Sequence, residues 1–128
     1  MEQVDQKICL DTNICIEIIK GRSKLNDLFE DYGKSGAFIS SPTVFELNLR
    51  ENNLEIVKEF MTGFKILDFN IDCAFKASEI FKDLRKKGIT IDFNDIFIAA
   101  TCIINDCTLA TFNKKHFDNI KDLSLLDM

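Results

Sequence analysis

One proline, five glycines and one histidine among 128 residues leave little material for several kinds of protein. Linkers and low-complexity tracts need far more proline and glycine, and no internal repeat is visible. Mechanisms built on paired histidines are excluded, because His116 stands alone. No apolar run approaches the roughly 20 residues of a membrane-spanning helix, so no membrane partner is expected. The N-terminal stretch MEQVDQK is acidic and polar, unlike a signal peptide. Five cysteines form an odd set without a C-x-x-C pair, most of them inside apolar stretches. They read as small hydrophobes rather than as a zinc site or a disulfide framework, and they point to a reducing cytoplasm. Cations are also outnumbered, giving a formal net charge of −5. A protein that binds nucleic acid by charge alone should be basic, so either the partner is no polyanion or divalent cations mediate the encounter.

What remains is apolar. The chain is 46% hydrophobic with 12 phenylalanines, and its length suits one domain, residues 1–128, that buries roughly two-thirds of its unfolded surface. Strand-like and helix-like stretches alternate. KICL (7–10) reads as a buried strand, and 13–20 becomes helical before KGR. A second amphipathic helix is expected over 25–32, with Leu25, Leu28, Phe29 and Tyr32 on one face. AFIS (37–40) is a strand; SPTVFELNL starts a helix capped by Ser41 or Thr43; 54–61 continues helically. FKILDF (64–69) alternates as a strand, Asp72–Lys87 forms a long amphipathic helix stopped by Gly88, and Asn94–Asn105 an apolar helix. TLATF (108–112) is a strand, KKHFDNI a helical turn and LSLLD (123–127) an edge strand. This order predicts an α/β domain with a mostly parallel sheet covered on both faces.

Ligands of such sheets bind beyond the carboxyl ends of the strands. Asp11 follows the first strand, Glu46 lies a turn into the helix after the second, Asp95 opens the apolar helix, and Asn113 follows the fourth strand. Each has an ordinary explanation. Asp11 could cap a helix, Thr43-x-x-Glu46 matches a capping box and Asp92-x-x-Asp95 imitates one, and Asn113 suits a turn. Their convergence favours a shared divalent cation, and so does DIFIAA, where Asp95 interrupts an apolar face and needs a compensating charge.

LDTN (10–13), ISSPTVFEL (39–47), DIFIAA (95–100) and TFNKKHF (111–117) resemble the PIN domain, most closely its VapC-type branch of toxin ribonucleases from toxin–antitoxin pairs. Each motif is short; four in order across nearly the whole chain are specific. The resemblance implies a PIN-like sheet of about five parallel strands and Mg²⁺- or Mn²⁺-dependent endoribonuclease cleavage of RNA. It implies Asp11, Glu46 and Asp95 as metal-binding acids, with Asn113 in a fourth position where many relatives carry Asp. Thr12, Asn13 and Thr111 would be supporting residues. Toxins of this kind form homodimers and are covered by an antitoxin tail. A PIN module that holds metal or RNA without cutting, or a PIN nuclease of RNA processing, are the competing readings. A haloacid dehalogenase-type phosphatase would need Asp-x-Asp where this chain has Asp-Thr-Asn.

Hard oxygen donors suit Mg²⁺, and with a metal-activated water no side chain need be the nucleophile. Lys114 and Lys115 are candidates for RNA backbone contact, whereas Lys82, Arg85 and Lys86 read as a solvated helix face. His116 reads as a surface or half-buried turn residue, with RNA contact the alternative. Val44, Phe45, Leu47 and Leu49 would cover an arc of about 200°, wider than one core requires. The excess suggests a second copy or an antitoxin, against simple burial under a neighbouring helix.

Overall fold

A computed structural model describes residues 6–21 and 37–128. The amphipathic helix expected over 25–32 lies outside the described residues. In chain order the elements are β1 (Ile8–Leu10), α1 (Thr12–Ile19), β2 (Ala37–Ser40), α2 (Ser41–Leu47), α3 (Leu54–Met61) and β3 (Lys65–Leu67). There follow α4 (Ile71–Lys86), α5 (Phe93–Ile104), β4 (Thr108–Ala110), α6 (Lys114–Phe117) and β5 (Ser124–Leu125). The five strands form one sheet in the order β3-β2-β1-β4-β5, every pairing parallel. The expected α/β architecture is present, and the segment expected as an edge strand closes the sheet beside β4.

β1 explains the layering. Ile8, Cys9 and Leu10 are all fully buried, as a central parallel strand with helices on both faces requires. Successive side chains point to opposite faces. Cys9 joins the core formed with α4 and α5, including Ala77, Ile80, Leu84, Ile98 and Leu109. Ile8 and Leu10 join the other core, with Ile14, Cys15, Leu47 and Val57 from α1, α2 and α3. All five cysteines are buried and free, as their apolar settings indicate. α5 buries Ile96 and the run Ile98–Cys102. β3 stands at one edge, and Lys65 and Ile66 remain exposed.

Stops and starts follow local chemistry. α4 ends where Gly88 adopts φ +73°, while the Ile89 amide reaches back to the Leu84 carbonyl at 2.9 Å. That left-handed position is one glycine takes without penalty. Asp106 does the same after α5 with φ 55°, and the Cys107 amide donates to the Cys102 carbonyl at 2.9 Å. The cap of α2 differs from expectation. Ser40, rather than Ser41 or Thr43, is the N-cap, its hydroxyl accepting from the Thr43 amide at 3.3 Å. Ser41 instead accepts from the Phe69 amide at 2.9 Å, and Thr43 lies within the helix. No Thr43–Glu46 capping box therefore forms. β3 and β4 are also shorter than the expected 64–69 and 108–112.

Among the described residues Phe117, on α6, is the largest fully buried side chain, and it packs in the core beside α4 and α5. Phe117→Ala should lower unfolding stability by about 3–5 kcal/mol, measured by urea denaturation. A loss below ~1 kcal/mol would show that α6 does not anchor this end of the core.

Candidate active site

The strand order reverses direction between β1 and β4, since β2 and β3 extend one way from β1 and β4 and β5 the other. A crevice opens beyond the carboxyl ends at such a point. The residues leaving β1 and β4 there are Asp11 and Thr111. Their adjacency is set by backbone register: Leu10 pairs with Ala110, and the Asp11 amide donates to the Ala110 carbonyl at 2.9 Å.

Asp11 is only 5% exposed. One carboxylate oxygen accepts from the Thr12 amide at 2.9 Å, and the other from the Thr111 hydroxyl at 2.7 Å. Asp11 thus caps α1 and faces the crevice at once, so capping and a site role do not exclude each other. Thr111 also accepts from the Asn113 amide at 3.0 Å, which turns the chain sharply after β4.

Glu46 enters from α2, where Thr12 donates its hydroxyl proton to the Glu46 carboxylate. A hydroxyl has one proton to give. Thr43, 3.1 Å from the Thr12 oxygen, therefore donates to Thr12, and Ser40 donates to Thr43 at 3.4 Å. A chain of three hydroxyls thus runs from the α2 cap to Glu46. Asp95 sits in the first turn of α5. The preceding residue, Asn94, donates from its side chain to the Pro42 carbonyl at 3.2 Å, fastening α5 to α2.

Asp95 has a partner that sequence reasoning passed over. His116 Nε2 lies 2.9 Å from its carboxylate. The imidazole is half-buried, stacked edge-on against Phe117 at 5.6 Å. The available signal was spacing, because α6 is a single turn and a residue three past Asn113 shares its side. Asn113 and Lys115 are exposed at this rim, and Lys114 pairs with Asp127 at 3.5 Å. Asn13 is exposed on the first turn of α1, and no hydrogen bond joins it to the acids among the described residues. Arg85 packs over the Phe81 ring at 5.3 Å, in keeping with a helix face.

Electrostatics record the convergence. Burial raises the Asp11 carboxyl above its ordinary range; the Thr111 and Thr12 bonds oppose this, and Glu46 adds to it. Asp95 is raised first by burial and then by Asp11, with His116 opposing and Glu46 contributing. Three like charges are therefore held within reach of one another at a partly desolvated rim. Among the described residues, no three acidic, cysteine or histidine groups form a tight cage for an ion. Mg²⁺ asks for less, since it retains waters and takes one or two carboxylates with substrate oxygen. The donors here are hard oxygens, the set that Mg²⁺ and Mn²⁺ prefer over softer metals. The chemistry of the set fits such an ion.

The PIN domain profile matches residues 8–123. A ribonuclease VapC2 of Rickettsia felis is 35% identical, covering 91% of this chain and 93% of its own. A ribonuclease VapC1 of Methanocaldococcus jannaschii is 31% identical over 98% of this chain and 89% of its own. A solved complex, VapBC2 of R. felis bound to a DNA fragment from its promoter, superposes with a TM-score of 0.87 at 31% identity. That match covers 94% of this chain and 98% of the other. This chain belongs to the PIN-domain family, in its VapC branch of ribonucleases.

A carboxyl whose folded pKa lies above its unfolded value adds stability at low pH and loses it as pH rises through the folded value. Metal-free protein should therefore gain stability as pH falls from 7 toward the upper carboxylate range. Asp95→Asn keeps an acceptor for His116 and removes one repelling charge. In EDTA at pH 7 it should melt no lower than the parent, with a smaller gain on acidification. A thermal melt several degrees below the parent would mean that the Asp95 charge stabilises the rim.

Proposed function

We propose that this chain is the toxin ribonuclease of a VapBC-type pair, acting in the cytoplasm as a single domain spanning residues 1–128. The observation that carries the reading is the buried Asp11 carboxylate at the end of the central strand, with Glu46 and Asp95 in electrostatic reach. Asp11, Glu46 and Asp95 would hold a Mg²⁺ or Mn²⁺ ion, and Asn113 is a neutral oxygen donor in the fourth position. When bound, the ion activates the attacking water and offsets charge on the phosphate and the leaving oxygen.

The protein's own part is orientation. Thr12 and Thr111 fix both oxygens of Asp11, Thr12 fixes Glu46, and His116 fixes Asp95. Such outer partners keep ligands from collapsing onto one another or swinging away. Asn13 and Thr12 begin α1 at the mouth, and Lys114 and Lys115 meet the phosphate backbone beside it. The nucleophile is water, consistent with the absence of a reactive serine, cysteine or second histidine among the described residues at the rim.

A protein partner is supported by apolar surface. Phe45 and Leu49 on and just after α2 are 59% and 62% exposed, and Ile56 on α3 is 48% exposed. Among the described residues, no neighbour covers Phe45 and Leu49 of the wide apolar arc expected on this helix, while Leu47 is buried. The VapBC complexes of R. felis and of Salmonella typhimurium (TM-score 0.87, 27% identity) were each solved with DNA bound. By that likeness the partner is an antitoxin whose complex with the toxin binds DNA; pairing with a second copy rests on the family resemblance alone.

Purified protein should cleave single-stranded RNA with Mg²⁺ or Mn²⁺, and EDTA should abolish the cleavage. Asp11→Asn should remove it while leaving the fold intact by circular dichroism. EDTA-resistant cleavage, or full activity in Asp11→Asn, would sink this mechanism. Thr111→Val keeps the shape and removes the hydroxyl that orients Asp11. It should weaken Mg²⁺ binding by calorimetry, and cleavage with it, roughly 10- to 100-fold; an unchanged Mg²⁺ affinity would rule out that role.

A further inference from the structure

Phe112 stands out at the mouth of the site. Its neighbour Thr111 is buried and bound to Asp11, and Phe117 a turn later is buried in the core. Phe112 itself is 53% exposed, and among the described residues its ring meets no other ring or cation. It borders an open cavity of about 400 Å³ whose other walls are Thr111, Asn113, Lys114, Lys115 and Met128. Two of those residues, Thr111 and Asn113, also belong to the carboxylate rim. A molecule in the cavity therefore meets two residues of the rim, two cations and an aromatic ring.

We propose that this cavity is a nucleobase subsite, in which a base next to the scissile phosphate of a single-stranded RNA stacks on Phe112. The proposal rests on the ribonuclease reading of the acid rim and extends it to how the substrate is held. An exposed ring beside cations matches how single strands are held, with bases on aromatic faces and phosphates on lysines. Lys115 has no ion-pair partner among the described residues, and Lys114 shares only a long, exposed pair with Asp127. Both are available to phosphate. The cavity shares Thr111 and Asn113 with the rim, so a base on Phe112 would bring its own phosphodiester toward the acids. A duplex keeps its bases stacked on each other and cannot offer one to the ring. The subsite thus selects unpaired RNA, such as a loop or an end.

The test uses the full chain and a short unstructured oligoribonucleotide carrying 2-aminopurine at successive positions. Binding is read in Ca²⁺, with probe integrity checked on a gel, and cleavage is read separately in Mg²⁺. The parent should quench 2-aminopurine strongly at one position, adjacent to the bond cut in Mg²⁺. Phe112→Ala should lose that quench and bind roughly 5- to 150-fold more weakly, since stacking contributes about 1–3 kcal/mol per base. Phe112→Trp should keep both. An abasic nucleotide at the quenched position should weaken the parent similarly and leave Phe112→Ala unaffected.

Equal affinity and quench in parent and Phe112→Ala would overturn the subsite, and so would a parent that binds no RNA. A change confined to sedimentation, with RNA binding intact, would assign Phe112 to a protein contact and overturn it equally. A parent that shows the Phe112-dependent quench but cuts nothing in Mg²⁺ would leave the subsite standing and overturn the nuclease mechanism.

Discussion

A carboxylate buried at the end of a fully buried strand is the constraint that organises this molecule. A charge out of water is costly unless hydrogen bonds or counter-charges compensate it. Asp11 obtains two hydrogen bonds from fixed neighbours, the Thr12 amide and the Thr111 hydroxyl. Both depend on the fold. Helix α1 must begin at the next residue for its first amide to be free. Strand β4 must lie parallel to β1 in the register that sets Ala110 beside Leu10. A register slip would turn Thr111 toward the opposite face and leave the Asp11 carboxylate with one partner.

Those bonds do not fully compensate the charge, and burial holds the carboxyls of Asp11 and Asp95 above their ordinary value. Strained electrostatics of this kind cluster at functional sites. The hydroxyl relay from Ser40 through Thr43 and Thr12 to Glu46 has the same logic. It lets a third acid approach without a dedicated cation from the protein. Positive charge is kept one step outward, on Lys114 and Lys115. A protein that neutralised its own acids with buried arginines would leave nothing for an external cation to do.

Much of this was readable in the chain. The parallel sheet followed from short apolar runs separated by helical spacing, because strands covered on both faces carry no polar alternation. The four motifs carried the family, since each acid has an ordinary explanation alone and only their order along the chain is specific. What the sequence concealed was decided between distant residues. Among Ser40, Ser41 and Thr43, local propensity cannot select the cap. Phe69 claims Ser41 and Thr12 claims Thr43, which leaves Ser40. β4 stops at Ala110 because Thr111 must leave the ladder to reach Asp11, a demand set across 100 residues. His116 looked like an ordinary turn residue because Asp95, 21 positions earlier, gives no local sign of it.

The acidic net charge ceases to be a paradox once distance is considered. Exposed charges more than about 8–10 Å apart are largely screened at physiological salt, so a phosphodiester at the rim responds to its immediate neighbours rather than to the total of −5. Those neighbours are arranged by depth. The acids sit inside, where desolvation strengthens their pull on a hard cation, and the lysines of α6 sit outside, where a backbone phosphate stays solvated as it arrives. An overall basic chain would hold any RNA along its length. On the proposed mechanism, tight contact requires a metal at the rim and cations beside it at the same moment, which would confine binding to the place where cleavage can follow.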